Sequence, residues 1–254
     1  MNEPFNQLGC RACLDGAGLG FDFTMAFQPI VDISTKTIFA HEALVRGVDG
    51  AGAADILGRV DDNNRYAFDQ ACRVKAISLA TDFDHHSLLS INFLPNAVYR
   101  PETCIRATLE AAVEFNFPAE NIMFEVTESE PVKDPKHLMG IFREYKRQGF
   151  TTAIDDFGAG QSGLNLLADF QPDILKLDMA LTRGIDADRT RRAIVRGTIS
   201  VASELNIRVV AEGIETLGEL QALQDLGISL YQGYLFARPQ TGKAIGLDQI
   251  HFPG

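Results

Sequence analysis

The strongest constraint on the fold is a repeated unit in which a short apolar strand pattern is followed by a helical pattern. About six such units follow an initial pair of strand patterns, and this alternation predicts a parallel sheet with helical crossovers. The chain has 254 residues, of which 46% are hydrophobic and 22% are charged. That length and composition suit one large domain with a substantial core.

Two adjacent carboxylates stand at the end of one of these predicted strands. The stretch from Thr151 to Asp156 predicts a buried strand that delivers Asp155 and Asp156 just before a glycine-rich loop. Neighbouring carboxylates repel when both are ionised, and a divalent cation removes that repulsion. An isolated Asp-Asp pair is more often a helix cap or a turn, so the interpretation depends on the other strands.

The other predicted strands also carry polar side chains at or near their carboxyl ends. Buried charges are costly unless they are paired or bound to metal, so this recurrence favours one shared site over unrelated ion pairs. Glu42 shares a strand face with the apolar Ala40 and Leu44, where an acid needs a partner. The candidates, besides the aspartates, are Glu42, Asn92, Glu125, Glu128, Lys176, Glu212 and Glu215.

The first two strand patterns, residues 25–31 and 37–45, are joined by a short turn and predict a hairpin. About eight strands in roughly 230 residues, with polar groups at the strand ends, predict an α/β fold of the TIM type, a (β/α)8 barrel. The hairpin requires one barrel strand to run antiparallel. The alternative, a doubly wound open sheet, places its site at one switch point instead of around a ring. Helices are predicted at about 64–80, 101–115, 135–148, 162–170, 188–205, 216–226 and 242–250, with a last strand near 229–234.

The net charge of −11 argues against binding to double-stranded nucleic acid, which requires a basic surface. It does not exclude an anionic substrate, because bound cations can invert the local field. No apolar run reaches eighteen residues, and the first residues lack the features of a signal peptide, so we expect a cytoplasmic protein without a membrane segment.

Residues 1–20 predict an N-terminal arm, and residues 21–254 predict the folded domain. The arm holds Cys10 and Cys13 as a Cys-x-x-Cys pair. A zinc site requires a second such pair, and the sequence has none. A redox site requires a thioredoxin-like context, which is also missing, so an inert or labile pair is favoured over both. Zinc shared between subunits is a minor alternative. Cys72 and Cys104 fall in helical patterns and predict buried thiols.

A set of short motifs, taken in order, resembles the EAL domains, the cyclic di-GMP phosphodiesterases of bacterial signalling. The resemblance runs from about Phe23 to Pro239. The motifs are Phe27-Gln28-Pro29-Ile30, Glu42-Ala43-Leu44-Val45-Arg46, Asn92, Glu125-Val126-Thr127-Glu128, Asp155-Asp156-Phe157-Gly158, Lys176-Leu177-Asp178, Ala211-Glu212-Gly213-Ile214-Glu215 and Gln232-Gly233-Tyr234.

This resemblance implies a barrel with one antiparallel strand and a site for two Mg²⁺ or Mn²⁺ ions. One ion would be held by Glu42, Asn92, Glu125 and Asp155. The other would be held by Asp155, Asp156 and Glu212, with Asp155 shared. These are hard oxygen ligands of the kind that both metals prefer. Ca²⁺ should bind the same oxygens without supporting turnover and therefore inhibit.

The implied reaction is hydrolysis of cyclic di-GMP to linear pGpG. Two ions about 3.5–4 Å apart clamp the phosphodiester, and a bridging water becomes the nucleophile. Asp155, Lys176 and Glu212 would be catalytic. Lys176 would hold the water or stabilise the developing charge. Glu212 would serve as base, as metal ligand or as both.

Four further residues are candidates for contact with the substrate. Arg46 suits a phosphate, because a guanidinium matches phosphate oxygens. Gln28 and Gln232 would contact substrate or a nearby water, although ordinary polar residues at strand ends remain an alternative. Leu44 would shape the pocket.

In the family, the loop after Asp156 couples the metal site to a dimer interface, and Glu128 resembles the residue that anchors it. Here the usual aromatic residue of the loop is replaced by Gln161 and a common serine by Gly163, while residues 61–64 also depart from the family pattern. Glu215, like Glu128, would lie next to the metal ligands without binding a metal itself. The resemblance predicts a homodimer that uses residues 161–170.

The main alternative to an enzyme is a binding module that senses cyclic di-GMP or docks a protein without hydrolysis. Such members usually lack an acid or the lysine, and none is missing here, which favours the enzyme. An unrelated metal-dependent barrel, such as an enolase-like lyase, leaves the motif spacing unexplained.

Overall fold

The computed structural model describes residues 19–81, 83, 87–128, 134–160 and 163–253. The Cys10–Cys13 pair, Gln161 and all but the last two residues of the predicted arm lie outside the described residues. Leu19, at the end of that arm, is buried against the domain core together with Phe23.

Eight strands close into a barrel, and this confirms the predicted TIM-type fold. Strands two to eight are parallel neighbours, and β1 closes the ring by pairing antiparallel with both β2 and β8. A short ninth strand pairs with β1 outside the ring. The strands are β1 (Phe23–Asp32), β2 (Thr37–Gly47), β3 (Leu88–Asn92), β4 (Ile122–Thr127), β5 (Thr151–Phe157), β6 (Ile174–Leu177), β7 (Arg208–Ala211), β8 (Leu230–Tyr231) and β9 (Gln240–Thr241).

The described helices cover the outside of the barrel at nearly the predicted positions. Among the residues that the structure describes, no helix is both long and apolar enough to cross a membrane. The helices are α1 (Ala53–Leu57), α2 (Arg65–Leu79), α3 (Pro101–Cys104), α4 (Arg106–Glu114), α5 (Pro135–Arg147), α6 (Gly163–Asp169), α7 (Met179–Thr182), α8 (Arg189–Glu204) and α9 (Leu217–Gln224).

Three of the predicted elements differ in the structure, and α1, α7 and β9 were not predicted. The predicted helix over 101–115 is divided at Ile105 into α3 and α4. The predicted last strand is reduced to Leu230–Tyr231, after which the chain turns through Gly233. No α-helix forms over 242–250, where only a 3-10 turn at Leu247–Gln249 is present. Gly242 has φ +77°, a conformation that a helix does not accept.

A layer of apolar side chains fills the barrel interior and sets the height of the site above it. Its members are Ile30, Ala40, Met123, Ala153, Ile174, Val210 and Leu230, with Phe39 and Leu88 packed against them. Side chains on a strand return to the same face every second residue. The residues two positions further toward the carboxyl ends of the parallel strands therefore also point into the barrel, one layer higher.

Candidate active site

That next layer is polar throughout, and it contains most of the residues that the sequence singled out. Gln28 belongs to it from the other direction, because β1 runs antiparallel and Gln28 precedes Ile30 by two residues. All its members except Glu212, which is half-buried, are buried. They are Gln28, Glu42, Ser90, Glu125, Asp155, Lys176, Glu212 and Gln232.

Lys176 lies at the centre of this ring and contacts four carboxylates, three on strands β2, β4 and β5 and the fourth, Glu212, directly after β7. Its Nζ is 2.8 Å from Glu125 Oε2, 2.8 Å from Glu212 Oε1, 3.0 Å from Asp155 Oδ1 and 3.3 Å from Glu42 Oε2. An ammonium group has only three protons to donate, so one lysine cannot satisfy four acceptors equally.

The ring carries more acid than its lysine can neutralise. If the four carboxylates and the adjacent Asp156 were all ionised, four negative charges would remain uncompensated. Burial raises the pKa of Glu125 to about 8, with Lys176 opposing the rise and Glu42 adding to it. Burial and then Asp155 raise the pKa of Glu212 well above its ordinary value. Burial, Asp155 and Asp178 raise the pKa of Asp156 to about 6.

Asp155 and Asp156 reach the same site because the strand is irregular between them. In a regular strand, neighbouring side chains point to opposite faces. Here the pairing of β5 with β6 shifts register between Ile154 and Phe157, and Asp156 has φ +55°. Aspartate tolerates this left-handed conformation better than most residues do. The backbone therefore turns the second carboxylate back toward the first.

Two groups of carboxylates could each hold one metal ion, and they share Asp155. One consists of Glu42, Glu125 and Asp155, and the other of Asp155, Asp156 and Glu212; within each group one oxygen per residue lies within 4.8 Å of the others. Asn92 adjoins the first group, since its Nδ2 donates to Glu42 Oε1 at 3.1 Å.

An unpaired oxygen supports a cation in the first group. Glu125 Oε1 is buried and has no hydrogen-bond partner within the described part of the chain, although a buried carboxylate oxygen without a partner is costly. Carboxylate and amide oxygens are also the donors that Mg²⁺ and Mn²⁺ prefer. The residues present therefore fit the two divalent cations.

Two cavities adjoin the ring, and Asp155 lines both. The first, of about 280 Å³, is lined by Gln28 and Gln232 among the predicted substrate contacts and also by Glu215. The second, of about 300 Å³, is lined by Leu44 and Asn92 and is mainly apolar. Arg46 lines neither cavity; its guanidinium donates to the Val45 carbonyl oxygen at 2.7 Å. Its role as a phosphate contact stays a prediction.

Glu128 holds the backbone of the loop that follows the two aspartates. Its carboxylate accepts hydrogen bonds from the N–H groups of Gly158 at 2.8 Å, Gly160 at 3.4 Å and Gly163 at 2.7 Å. A Cβ on Gly163 would lie 2.6 Å from the Phe157 ring. Glycine at 163 therefore permits the backbone at this position to approach both Phe157 and the Glu128 carboxylate closely.

The sequence did not single out several residues that line the first cavity. Asp178 directly follows β6, so its position one residue beyond a strand was a usable signal, whereas Met179 lies two residues past β6 and Tyr234 three residues past β8. Ser90 belongs to the polar ring with a buried hydroxyl that has no partner among the described residues. Its period-two relation to Leu88 and Asn92 would have identified it.

A comparison with protein-family models decides what kind of barrel this is. The model described as EAL domain matches residues 19–239, which include every strand of the closed ring. The chain belongs to the EAL domain family. The resemblance found in the sequence motifs is thereby confirmed.

Solved EAL structures share the fold closely. A standalone EAL protein from Vibrio cholerae O395, in its cyclic di-GMP-bound form, is 54% identical, with a TM-score of 0.86; the match covers 91% of this chain and 97% of that one. Klebsiella pneumoniae BlrP1, in a complex with manganese and cyclic di-GMP, is 35% identical, with a TM-score of 0.82, over 88% of this chain and 57% of that one.

Curated relatives include proteins with different described roles. The Escherichia coli antirepressor BluF, regulated by blue light and temperature, is 32% identical over 90% of this chain. PdeG from the same species, named as a probable cyclic di-GMP phosphodiesterase, is 29% identical over 85% of this chain. The matches span only 56% and 44% of the lengths of these two proteins.

Proposed function

We propose that this EAL domain hydrolyses one phosphodiester bond of cyclic di-GMP and releases linear pGpG. The observation that carries the proposal is the pair of carboxylate groups joined by Asp155, beside two cavities and around a buried lysine. Every acid of the family pattern is present in this arrangement.

The proposed cofactors are two Mg²⁺ or Mn²⁺ ions. Glu42, Asn92, Glu125 and Asp155 would hold one ion, and Asp155, Asp156 and Glu212 the other. When bound, the ions would neutralise the carboxylates, polarise the phosphodiester and lower the pKa of an attacking water. Ca²⁺ would occupy the same oxygens but prefers longer bonds and more ligands, so we expect it to inhibit.

The chain's own groups would then orient and stabilise the reacting atoms. Lys176 contacts four carboxylates, and we assign its positive charge to stabilising the negative charge that would develop on the phosphate. Glu212 is the most exposed of these four side chains, at 15%, and it lines the first cavity. It is therefore the best placed to accept a proton from water as well as to bind metal.

The two cavities suit a substrate that extends to both sides of the bond to be cleaved. A cyclic dinucleotide carries one base on each side of its phosphate pair. We assign Gln28 and Gln232 to contacts in the first cavity and Leu44 to the apolar wall of the second. Arg46 is assigned to a substrate phosphate. The two volumes, about 280 and 300 Å³, are at the lower limit for a ligand site, which favours one part of the ligand in each.

A homodimer is the proposed assembly, with the face near α6 as its interface. Leu164 on this helix is a large apolar side chain within the predicted interface segment and is 65% exposed. Phe170, at the end of the predicted interface segment, instead stacks on Phe142 in the core at a ring distance of 4.0 Å. Leu164 is thus the residue to test. The cytoplasm is the proposed location, because cyclic di-GMP is an intracellular signal in this family.

One observation favours a second candidate function, a binding module without turnover. The similar protein BluF is described as an antirepressor rather than as an enzyme. In that case the domain would hold cyclic di-GMP or a protein partner and leave the phosphodiester intact.

Product analysis separates the two functions. The purified chain is incubated with cyclic di-GMP and either Mg²⁺ or Mn²⁺, and the nucleotides are resolved by chromatography. Release of pGpG by the wild-type chain, and none by Asp155→Asn, is the expected result. Intact cyclic di-GMP with both ions, together with measurable binding, would establish the binding module instead.

A further inference from the structure

The loop that carries Glu212 is fastened along its length to the segment that follows β6. Glu212 belongs to the second carboxylate group, and its backbone N–H donates to the Leu177 carbonyl at 3.1 Å. Beyond that point the chain leaves β7 and has no further ladder bonds from that strand. The Glu212 side chain is held by Lys176, at 2.8 Å. The main chain beyond it is held by the segment after β8, through the Ile214 N–H to the Gln232 carbonyl at 3.1 Å, and by the segment after β6.

Thr182 is the residue of that segment whose side chain bonds to the main chain of the candidate metal ligand. Its side chain is fully buried at the end of α7, and its Oγ1 donates to the main-chain oxygen of Glu212 at 2.5 Å. This hydroxyl touches neither cavity, so it does not meet the substrate directly. It acts on the peptide group to which the Glu212 side chain is attached.

The next residue of the loop is pressed against the start of α7. Gly213 has φ +68°, and a Cβ at this position would lie 2.7 Å from the Met179 Cβ. A side chain here would push the loop away from α7. The glycine thus permits the short distance that the Thr182 hydrogen bond requires.

Two further contacts fix the far end of the loop. Arg183 donates to both oxygens of Glu215, at 2.8 and 2.9 Å. The buried Glu219 accepts from the Gly184 N–H with one oxygen, at 2.9 Å, and from the N–H groups of Glu215 and Thr216 with the other. Glu219 therefore ties the segment after β6 to the segment after β7.

We propose that Thr182 is a positioning residue that sets the place of Glu212 in the second metal site. The inference rests on the proposed ligand role of Glu212. Thr182 contacts none of the first carboxylate group, so loss of its hydroxyl should affect one ion and spare the other. Groups that orient metal ligands commonly change metal affinity by about 10- to 100-fold when they are replaced.

Thr182→Val is the informative substitution because valine keeps the shape and removes the donor. A methyl carbon needs about 3.3 Å from a carbonyl oxygen, so it also displaces the Glu212 backbone by on the order of 1 Å. Thr182→Ser restores the hydroxyl. Thr198→Val is the matched control, because the buried Thr198 hydroxyl donates to the Ile194 carbonyl within α8, at 3.2 Å.

The experiment titrates Mn²⁺ into the metal-free full chain and follows free Mn²⁺ by electron paramagnetic resonance. We expect two sites in the wild type. Thr182→Val should weaken one of them at least tenfold and leave the other unchanged, and excess Mn²⁺ should restore its turnover. Thr182→Ser and Thr198→Val should match the wild type. If the valine variant does not fold, Thr182→Ala carries the same test without the displaced backbone.

Unchanged Mn²⁺ binding in Thr182→Val, equal weakening of both sites, or the same loss in Thr198→Val would overturn the positioning role. The variant Glu212→Gln distinguishes an error in the positioning role of Thr182 from an error in the proposed ligand set. If Glu212→Gln weakens a site and Thr182→Val does not, only the positioning inference is wrong. If Glu212→Gln leaves both sites intact, the proposed ligand set is wrong and the inference fails with it.

Discussion

Lys176 Nζ lies 2.8 Å from Glu125 Oε2, and both side chains are fully buried in the barrel. Burial lowers the pKa of Lys176, but the surrounding carboxylates outweigh burial and raise it well above its ordinary value. The lysine therefore stays charged, while excess negative charge surrounds it. Removing the lysine and removing an acid should have opposite effects on the metal-free protein.

The first prediction concerns the stability of the chain in the presence of a chelator. Lys176→Met should lower the free energy of unfolding by about 3–5 kcal/mol, because it leaves buried carboxylates without a cation. Glu125→Gln should leave the free energy of unfolding unchanged or raise it, because Glu125, with its pKa raised to about 8, is mostly protonated at neutral pH and glutamine resembles that neutral form. Urea unfolding at neutral pH measures both, and equal destabilisation by the two variants would contradict this account.

The second prediction concerns catalysis. Glu42→Ala, Asp155→Asn and Lys176→Ala should each lower pGpG production by more than about a hundredfold, because each removes a group that would hold a cation or the developing charge. Circular dichroism in the presence of Mg²⁺ checks that the barrel remains folded. Normal product formation by two of the three variants would refute the site assignment.

The third prediction concerns Ca²⁺, which should bind without supporting turnover. Mg²⁺ holds its ligands at about 2.0–2.1 Å and Ca²⁺ at about 2.3–2.6 Å, so the larger ion should misplace the attacking water. A misplacement of about 1 Å can cost about a hundredfold in rate. Hydrolysis is measured with each ion alone and then with Ca²⁺ titrated against fixed Mg²⁺. Equal turnover in the two ions would rule out the proposed mechanism.

The fourth prediction concerns assembly. Leu164→Glu should shift the protein from dimer to monomer, because a charge replaces an exposed apolar side chain at the proposed interface. Val113→Glu, at an 83% exposed position on α4, is the matched control and should remain dimeric. Sedimentation at micromolar concentration measures both. A wild-type chain that is monomeric and fully active would refute the dimer.

The fifth prediction concerns pH and the carboxylate that fastens the Glu212 loop. Burial acts to raise the pKa of Glu219, but hydrogen bonds from the N–H groups of Gly184, Glu215 and Thr216 outweigh it and lower this pKa below 4.5. A carboxylate whose pKa is lower in the folded state than in the unfolded state stabilises the folded protein at pH values above its unfolded-state pKa. This stabilisation is lost as the pH falls through the folded-state pKa.

Glu219→Gln should therefore destabilise the chain by about 1–2 kcal/mol at pH 7 and by progressively less as the pH falls below about 4.3. Urea unfolding of both proteins across this range measures the difference. The exposed Glu110→Gln on α4 serves as the control. A difference that stays constant down to pH 3 would show that the Glu219 charge does not contribute.

The sequence by itself determined the order of elements and the chemistry of the site. Apolar alternation placed Glu42 on the same face as Ala40, because side chains on a strand have a period of two residues. The same rule puts Glu125 above Met123 and Lys176 above Ile174. The recurrence of acids at strand ends then implied one shared oxygen-rich site, and the hairpin implied the antiparallel strand. These features are local and repeat along the chain, so they can be read without coordinates.

Only the tertiary structure decided which of these groups meet and in what geometry. The period of two places Asp155 and Asp156 on opposite faces, and only the register shift and the left-handed backbone of Asp156 bring them together. The contact between Thr182 and Glu212 joins residues 30 positions apart and depends on the close packing of two loops. Such contacts are set by barrel closure and strand register, which are properties of all eight strands together and of no single segment.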